Sequence, residues 1–176
     1  MANPVSARDI RRVIANATSL QVSDRANIVM CVLAAVRACG VKRVLMMPEN
    51  GGIRSLLKRC LQREKQLGDN RFPELEMTDT QISGTVDDTF AATQAMVDSG
   101  VKAIVVLGGD GTHRAVAKVC GQVPIAGIST GTNNAFPEHR EPTITGLAVG
   151  LAATGRIPES VAFTLNKLLF VKINNG

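Results

Sequence analysis

Apolar runs and amphipathic stretches alternate along this chain, and a glycine separates several of them. Residues 38–47, ACGVKRVLMM, and residues 98–107, DSGVKAIVVL, follow one plan, in which a helical stretch ends at a glycine and Val-Lys leads into a short apolar run. Residues 118–128, KVCGQVPIAGI, repeat this plan with a proline inserted. A glycine just past a helix takes the left-handed conformation at little cost. The three repeats predict the α/β class, with helices and buried strands arranged on a mostly parallel sheet.

The spacing of the apolar positions predicts the individual elements. The expected strands are residues 43–47, 75–78, 103–107 and 124–128. Four of the expected helices cover residues 24–39, 53 to about 67, 112–120 and 142 to about 155. Ser23 is the expected N-cap of the first of these. A further helix is expected to start at a capping box formed by Thr85 and Asp88. A basic helix is expected from about Ala7, and the apolar run in residues 167–173, KLLFVKI, predicts a further strand.

Composition sets the class of protein. The chain has 176 residues, 45% hydrophobic and 20% charged, so we expect a globular core of ordinary size. A net charge of +5 without a clustered basic face predicts no nucleic-acid partner, and it suits small polyanions such as nucleotides. The N-terminus, MANPVSARDIRR, has no apolar signal segment, and no run approaches membrane-spanning length. We therefore expect a cytoplasmic protein without a membrane partner.

The cysteines and histidines do not form a metal-binding pattern. The cysteines show neither a C-x-x-C pair nor the spacing of metal ligands, and two histidines are too few for a zinc site. Cys31, Cys39 and Cys60 fall on predicted helices, where we expect buried, reduced thiols.

Three loops carry candidate chemistry, because ligands of a doubly wound sheet bind beyond the carboxyl ends of its strands. They are residues 108–112, 129–134 and 3–6. The first loop, GGDGT, offers glycine N–H groups to a phosphate, yet Asp110 would repel that phosphate. No GxxxxGK[ST] motif is present, and Arg114 stands where a GxGxxG motif requires its third glycine.

These loops resemble those of one kinase superfamily. Gly108-Gly109-Asp110-Gly111-Thr112 is similar to the GGDGT signature of NAD kinases and of diacylglycerol and sphingosine kinases. Asn3-Pro4 resembles their opening Asn-Pro loop, and Gly131-Thr132-Asn133-Asn134 resembles their second glycine loop. The stretch STGTNNAFPEHREPTITGLAVGLAATGRIP resembles the ATP-NAD kinase-like family in its acetoin catabolism protein X branch. With ANPVSARDIRR and VLMMPENGGI, the resemblance covers essentially the whole chain.

The resemblance implies a doubly wound nucleotide-binding domain and an ATP-dependent phosphotransferase. The implied reaction transfers a phosphoryl group to the 2′-hydroxyl of NAD to give NADP, uses ATP and Mg²⁺, and has a link to acetoin catabolism. Asp110 is the implied catalytic residue, either as general base toward the ribose hydroxyl or as a magnesium contact, which would relieve the repulsion. The implied nucleotide and phosphate contacts are Asn3, Gly108, Gly109, Gly111, Thr112, Gly131, Thr132, Asn133 and Asn134.

Several of these residues also have a structural interpretation. Asp110 could form a turn or cap a helix, and Thr112 could be a plain N-cap. Asn133 and Asn134 could hold left-handed turns instead of presenting amides to a nucleotide. His113 falls in the first turn of the predicted helix, and we expect no catalytic role for it.

The chain departs from the family pattern at both ends. Family members begin with a strand that is central in a 3-2-1-4-5 order, and here only Met1 and Ala2 precede Asn3. They also have a second, largely β domain. We therefore expect residues 1–160 to form the nucleotide-binding domain with a truncated first strand, and residues 161–176 to begin a second domain that is otherwise absent. Such a chain is expected to be poorly stable or to form homo-oligomers, and to lack NAD kinase activity.

Two other functions stay open. One is a nucleotide-binding or regulatory protein of the acetoin operon without turnover. The other is a lipid kinase of the diacylglycerol type, because GTNNAFP resembles the lipid-kinase loop as well. The expected absence of aromatic or apolar surface patches disfavours the lipid kinase.

Overall fold

Helices and strands alternate in a computed structural model of the chain, which describes residues 20–68, 70–130, 134–167 and 169. In chain order the elements are α1 Val22–Ala38, β1 Arg43–Met46, α2 Ile53–Gln66, β2 Glu74–Met77, α3 Val86–Asp98, β3 Ile104–Gly108, α4 Asp110–Val119, β4 Ile125–Ser129, α5 Pro142–Ala153 and α6 Glu159–Ala162.

The strands form two parallel pairs, β1 with β2 and β3 with β4. Arg43 lies opposite Glu74 in the first pair, and Ile104 lies opposite Ile125 in the second. One helix connects the two strands of each pair, as parallel pairing requires. The predicted parallel α/β class is confirmed, and each predicted strand begins and ends within about one residue of the observed strand.

Helices cover both faces of these strands. Met46 of β1 and Leu107 of β3 belong to a core that includes residues of α1 and α2. Leu45 packs instead with residues of α3, and Val106 packs with Val116 of α4. Because successive strand side chains point to opposite faces, this division places helices on both sides, which confirms the doubly wound arrangement.

α5 packs closely against α1 because two of its positions lack a side chain. A Cβ at Gly146 would lie 2.7 Å from the Cβ of Ala35 and 2.9 Å from the carbonyl oxygen of Val32. A Cβ at Gly150 would lie 2.7 Å from the Cβ of Cys39. The two glycines therefore set the distance between the helices.

An apolar groove of about 400 Å³ separates β1 from β3. The carbonyl oxygens of Lys42 and Met46 accept hydrogen bonds from the N–H groups of Glu74 and Thr78 at either end of β2. Since a parallel strand bonds each neighbour through alternate residues, the peptide groups of Leu45 point into the groove. Within the described ranges no strand lies between the two pairs. The groove occupies the place that the 3-2-1-4-5 order gives to the strand before the Asn-Pro loop.

The helix starts show where local prediction was wrong. α1 begins at Val22 with Gln21 as its N-cap, because the Asp24 carboxylate accepts a hydrogen bond from the Gln21 N–H at 3.0 Å; Ser23 is not the cap. Thr85 caps α3 as predicted. α4 begins at Asp110 rather than at residue 112, and α6 was not predicted.

The capping box at the start of α3 forms only in part. The Asp88 carboxylate accepts hydrogen bonds from the N–H groups of Ser83 and Gly84, and not from that of Thr85.

The four cysteines are free thiols, and of Cys31, Cys39 and Cys60, which were expected to be buried, only Cys39 is. Cys39 and Cys120 are buried, whereas Cys31 and Cys60 are exposed. α2 has no buried residue after Leu57, so Cys60 lies beyond the core.

Two further expectations concern the elements at the two ends of the chain and the lack of a membrane-spanning segment. The helix expected from Ala7 and most of residues 167–173 lie outside the described residues. Of the helices within the described ranges, none is both long and apolar enough to cross a membrane.

We predict that Gly146→Ala and Gly150→Ala each destabilise the fold by about 1–3 kcal/mol, because the new methyl group must force α5 away from α1. Urea unfolding measures the change. Ala148→Val adds bulk on the exposed face of the same helix and is the control, with a change within about 0.5 kcal/mol. Unchanged unfolding midpoints for both glycine variants would show that the two helices do not pack as described.

The expectation of self-association or weak stability stays a prediction. Peptide groups of β1 face an apolar groove, and each buried group left without a partner costs about 1–3 kcal/mol. We therefore expect the 176-residue chain alone to sediment as oligomers, or to unfold at low urea concentration. Analytical ultracentrifugation and urea titration check this. A stable monomer with cooperative unfolding would contradict the expectation.

Candidate functional site

The site lies where β3 and β4 end side by side. Gly108 and Ser129 are opposite each other at the carboxyl ends of the two parallel strands. The chain passes from β3 directly into α4, and after β4 it continues through residues 130–141 to α5. The term joined loops refers below to two segments: residues 108–112, where β3 passes into the first turn of α4, and residues 134–137, which follow β4. Asn3, Gly131, Thr132 and Asn133 lie outside the described residues, whereas Asn134 is described.

Gly109 begins α4 as its N-cap, with extended backbone angles. The N–H groups of Thr112 and His113 both donate to the Gly109 carbonyl oxygen, at 3.0 and 3.2 Å. Asp110 therefore lies in the first turn, where the helix dipole stabilises a negative charge. Thr112 is not the N-cap, because the helix starts two residues earlier.

The carboxylate of Asp110 joins the two loops. Its Oδ2 accepts a hydrogen bond from the Ala135 N–H at 2.9 Å, and its Oδ1 accepts one from the Phe136 N–H at 3.0 Å. These two backbone donors lower the pKa of Asp110 below its ordinary value of 3.8. The stabilisation is present above that ordinary pKa and is lost as the pH falls through the lowered pKa.

The side chain of Asn134 makes a second connection. Its Oδ1 accepts a hydrogen bond from the Asp110 N–H at 3.3 Å, and its Nδ2 donates to the Ser129 hydroxyl oxygen at 2.8 Å. The amide thus links the start of α4 to the end of β4. In this structure Asn134 connects protein groups, and its predicted contact with a nucleotide stays a prediction.

The three glycines of the GGDGT loop have different surroundings. A Cβ at Gly108 would lie 2.8 Å from the Cβ and Oγ1 of Thr112, and one at Gly109 would lie 2.9 Å from Oδ1 of Asn134. Apart from its chain neighbours and the backbone of its own helix, no described residue has an atom within 4 Å of a Cβ placed at Gly111. The first two positions therefore exclude a side chain for internal reasons, and the backbone of Gly111 is open to a ligand.

His113 is the residue that sequence reasoning missed. Its side chain is buried, and its Nδ1 lies 3.0 Å from the Gly109 carbonyl oxygen. Its ring centroid lies 5.8 Å from that of Phe136. Burial lowers the pKa of His113 below 6.5. A histidine in the first turn of a helix gives no sequence signal of burial, because the contacts that enclose it come from other elements.

A magnesium ion implied by the family would find few protein ligands here. The described part of the chain has no group of three or more His, Cys, Asp or Glu side chains that could hold a metal. Mg²⁺ commonly binds through one or two carboxylates together with substrate phosphates. Asp110 is the carboxylate in the joined loops, so the donor set fits an ion brought by a nucleotide and not a protein-built cage.

Comparison with known proteins gives a family and a relative. The family model of the ATP-NAD kinase N-terminal domain matches residues 12–157. Over 176 residues the chain is 60% identical to Acetoin catabolism protein X of Cupriavidus necator. It covers 49% of that protein, and so spans about half the length of the curated relative that it matches. No solved structure matches the chain significantly.

We predict opposite effects on stability at two neighbouring glycines. Gly109→Ala should destabilise by about 1–3 kcal/mol, because the methyl group would overlap Asn134. Gly111→Ala adds a methyl group in open space within a helix and should stabilise by about 0.5–1 kcal/mol. Thermal unfolding measures both. The cost of Gly109→Ala should shrink in an Asn134→Ala background, and an undiminished cost would assign the clash to another atom.

Proposed function

The chain belongs to the ATP-NAD kinase family, and we propose that its joined loops bind ATP for phosphoryl transfer to the 2′-hydroxyl of NAD. The observation that carries the proposal is the start of α4 at the carboxyl edge of two parallel strands, with an exposed glycine and a carboxylate in its first turn. Helix N-termini of this kind bind phosphate through N–H groups and the helix dipole. The product would be NADP, formed in the cytoplasm in connection with acetoin catabolism.

Gly111 is the proposed approach point for the phosphates. Gly111 is exposed, and in the described part of the chain no atom beyond its own helix backbone and chain neighbours lies within 4 Å of the position that a side chain would take. Gly108 and Gly109 contribute indirectly, since their lack of side chains lets Thr112 and Asn134 lie against the loop. Asn3, Thr112, Gly131, Thr132, Asn133 and Asn134 stay proposed nucleotide contacts through the resemblance.

Asp110 is the proposed catalytic residue. Its lowered pKa keeps the carboxylate ionised at neutral pH, so it can accept a hydrogen bond from the acceptor hydroxyl and take up its proton as the new O–P bond forms and ADP leaves. Each carboxylate oxygen has a second lone pair in addition to the one used by Ala135 or Phe136. When bound, Mg²⁺ would neutralise phosphate charge.

One observation favours a second candidate, a nucleotide-binding regulatory protein without turnover. Both oxygens of Asp110 already accept backbone hydrogen bonds, and a carboxylate held in this way is a weak base. Calorimetry with ATP and Mg²⁺, followed by a transfer assay with NAD or diacylglycerol, separates the two candidates. Binding without transfer, in a protein that spans the full length of its relative, would support the regulatory function.

Asp110→Asn should lower phosphoryl transfer about 100-fold or more, because it removes the charge and the proton acceptor while keeping the shape of the side chain. Affinity for ATP should change little. The measurement is steady-state kinetics in the full-length form of the protein.

Asp88→Asn is the matched control for this substitution. The Asp88 carboxylate likewise accepts hydrogen bonds from two backbone N–H groups, those of Ser83 and Gly84. Both residues lie just before the start of α3. We expect normal turnover in this variant. Near-normal turnover in Asp110→Asn would refute the catalytic assignment.

A further inference from the structure

The buried imidazole of His113 lies between the joined loops, and the proposed chemistry does not use it. The residue is 2% exposed, and its Nδ1 is 3.0 Å from the carbonyl oxygen of Gly109. Because a carbonyl oxygen can only accept, Nδ1 must carry the proton and donate it. Nε2 then holds a lone pair, and this buried atom has no hydrogen-bond partner among the described residues. Hydrogen bonding at Nε2 therefore does not explain why the ring is buried.

The ring fits because β4 has a glycine at position 127. A Cβ at Gly127 would lie 2.6 Å from Nε2 and 3.1 Å from Cδ2 of His113. The same Cβ would lie 3.3 Å from the Cβ of Pro137. Phe136 packs against the ring at a centroid distance of 5.8 Å and an interplanar angle of 55°. The imidazole thus fills the space between β4 and the loop that follows it.

We propose that His113 is a positioning residue for the Asp110 carboxylate. Phe136 contacts both residues, since its ring packs on His113 and its N–H donates to Oδ1 of Asp110 at 3.0 Å. A ring anchored on the Gly109 carbonyl oxygen holds Phe136 where its N–H reaches the carboxylate. Removing the ring frees residues 135–136 to move away, and Asp110 then loses its fixed orientation.

The ionisation state of the imidazole agrees with this role. Burial lowers the pKa of His113, so the ring is neutral at physiological pH, as a single donated proton requires. The effect on phosphoryl transfer rests on the proposed function. The effect on the loop does not, because it concerns hydrogen bonds within the chain.

Amide hydrogen exchange at neutral pH tests the positioning directly. In His113→Ala the amides of Ala135 and Phe136 should exchange at least about tenfold faster, as expected when a hydrogen bond to a charged group is weakened. His113→Phe restores a flat ring but lacks the donor that anchors it on the Gly109 carbonyl oxygen, so it should recover only part of the protection. The amides of Ser83 and Gly84, which donate to Asp88, are the internal reference and should not change.

The exposed His139 provides the control substitution, and His139→Ala should leave all four amides unchanged. Unchanged exchange at Ala135 and Phe136 in His113→Ala would overturn the proposal. Equal acceleration at Ser83 and Gly84 would do the same, because it would show general loosening instead of a local effect.

Gly127→Ala gives a second test that keeps the histidine. The new methyl group would displace the ring, so the amides of Ala135 and Phe136 should again exchange faster. In Gly127→Ala/His113→Ala the exchange should be close to that of His113→Ala alone, since the methyl group then meets the Cβ of Pro137 as its nearest contact, at 3.3 Å. Acceleration by Gly127→Ala that is just as large without the ring would contradict the proposal.

Kinetics in the full-length form separate this inference from the proposed function. His113→Ala should lower kcat while the KM for ATP stays within about twofold, because the variant changes the orientation of Asp110 and not a phosphate contact. A raised KM with unchanged kcat would contradict the positioning role. No transfer by the parent protein would count against the proposed function, and hydrogen exchange alone would then decide the role of His113.

Discussion

The two hydrogen bonds that the Asp110 carboxylate accepts are the contacts on which the edge of the sheet depends. Residues 134–137 belong to neither a helix nor a strand, so their backbone groups need partners from elsewhere. Asp110 supplies them for Ala135 and Phe136, at 2.9 and 3.0 Å. The same charge lies in the first turn of α4, where the dipole favours it. One side chain thereby stabilises a helix start and fixes the loop after the neighbouring strand.

Three glycines around this contact are required for three separate reasons, because each makes room for a different side chain. Gly108 gives room to Thr112, Gly109 to Asn134, and Gly127 to His113. Each close approach is internal to the protein, so a glycine-rich signature does not by itself show that phosphate binds at every glycine. Gly111 differs, because a side chain there would meet no described residue beyond its own helix backbone and chain neighbours. The proposal of a phosphate contact in the GGDGT loop therefore depends most on this position.

The sequence predicted the strands well and the side-chain contacts of the site poorly. β1, β3 and β4 are short, mostly apolar runs that follow a glycine, and this pattern is local enough to locate them within about one residue. The start of α1 was misplaced because Gln21 is not a usual cap, and it works through Asp24. The GGDGT loop was found as a glycine-rich stretch that follows a strand, and its catalytic role was inferred from the resemblance to a family. The burial of His113 could not be predicted, because it depends on Gly127 in β4 and Phe136 beyond it, which only the fold brings together.

The structure also bears on how a carboxylate with a lowered pKa could serve phosphoryl transfer. A general base that removes a proton early would work best with a pKa near neutrality, and the two amide donors move Asp110 in the opposite direction. The transition state of phosphoryl transfer is loose in most analyses, so positioning and electrostatics contribute more than early proton removal. A carboxylate that is ionised when transfer begins and keeps one orientation meets that need. The contacts that weaken Asp110 as a base are therefore compatible with the proposed kinase, provided that Ala135 and Phe136 hold the carboxylate toward the acceptor hydroxyl.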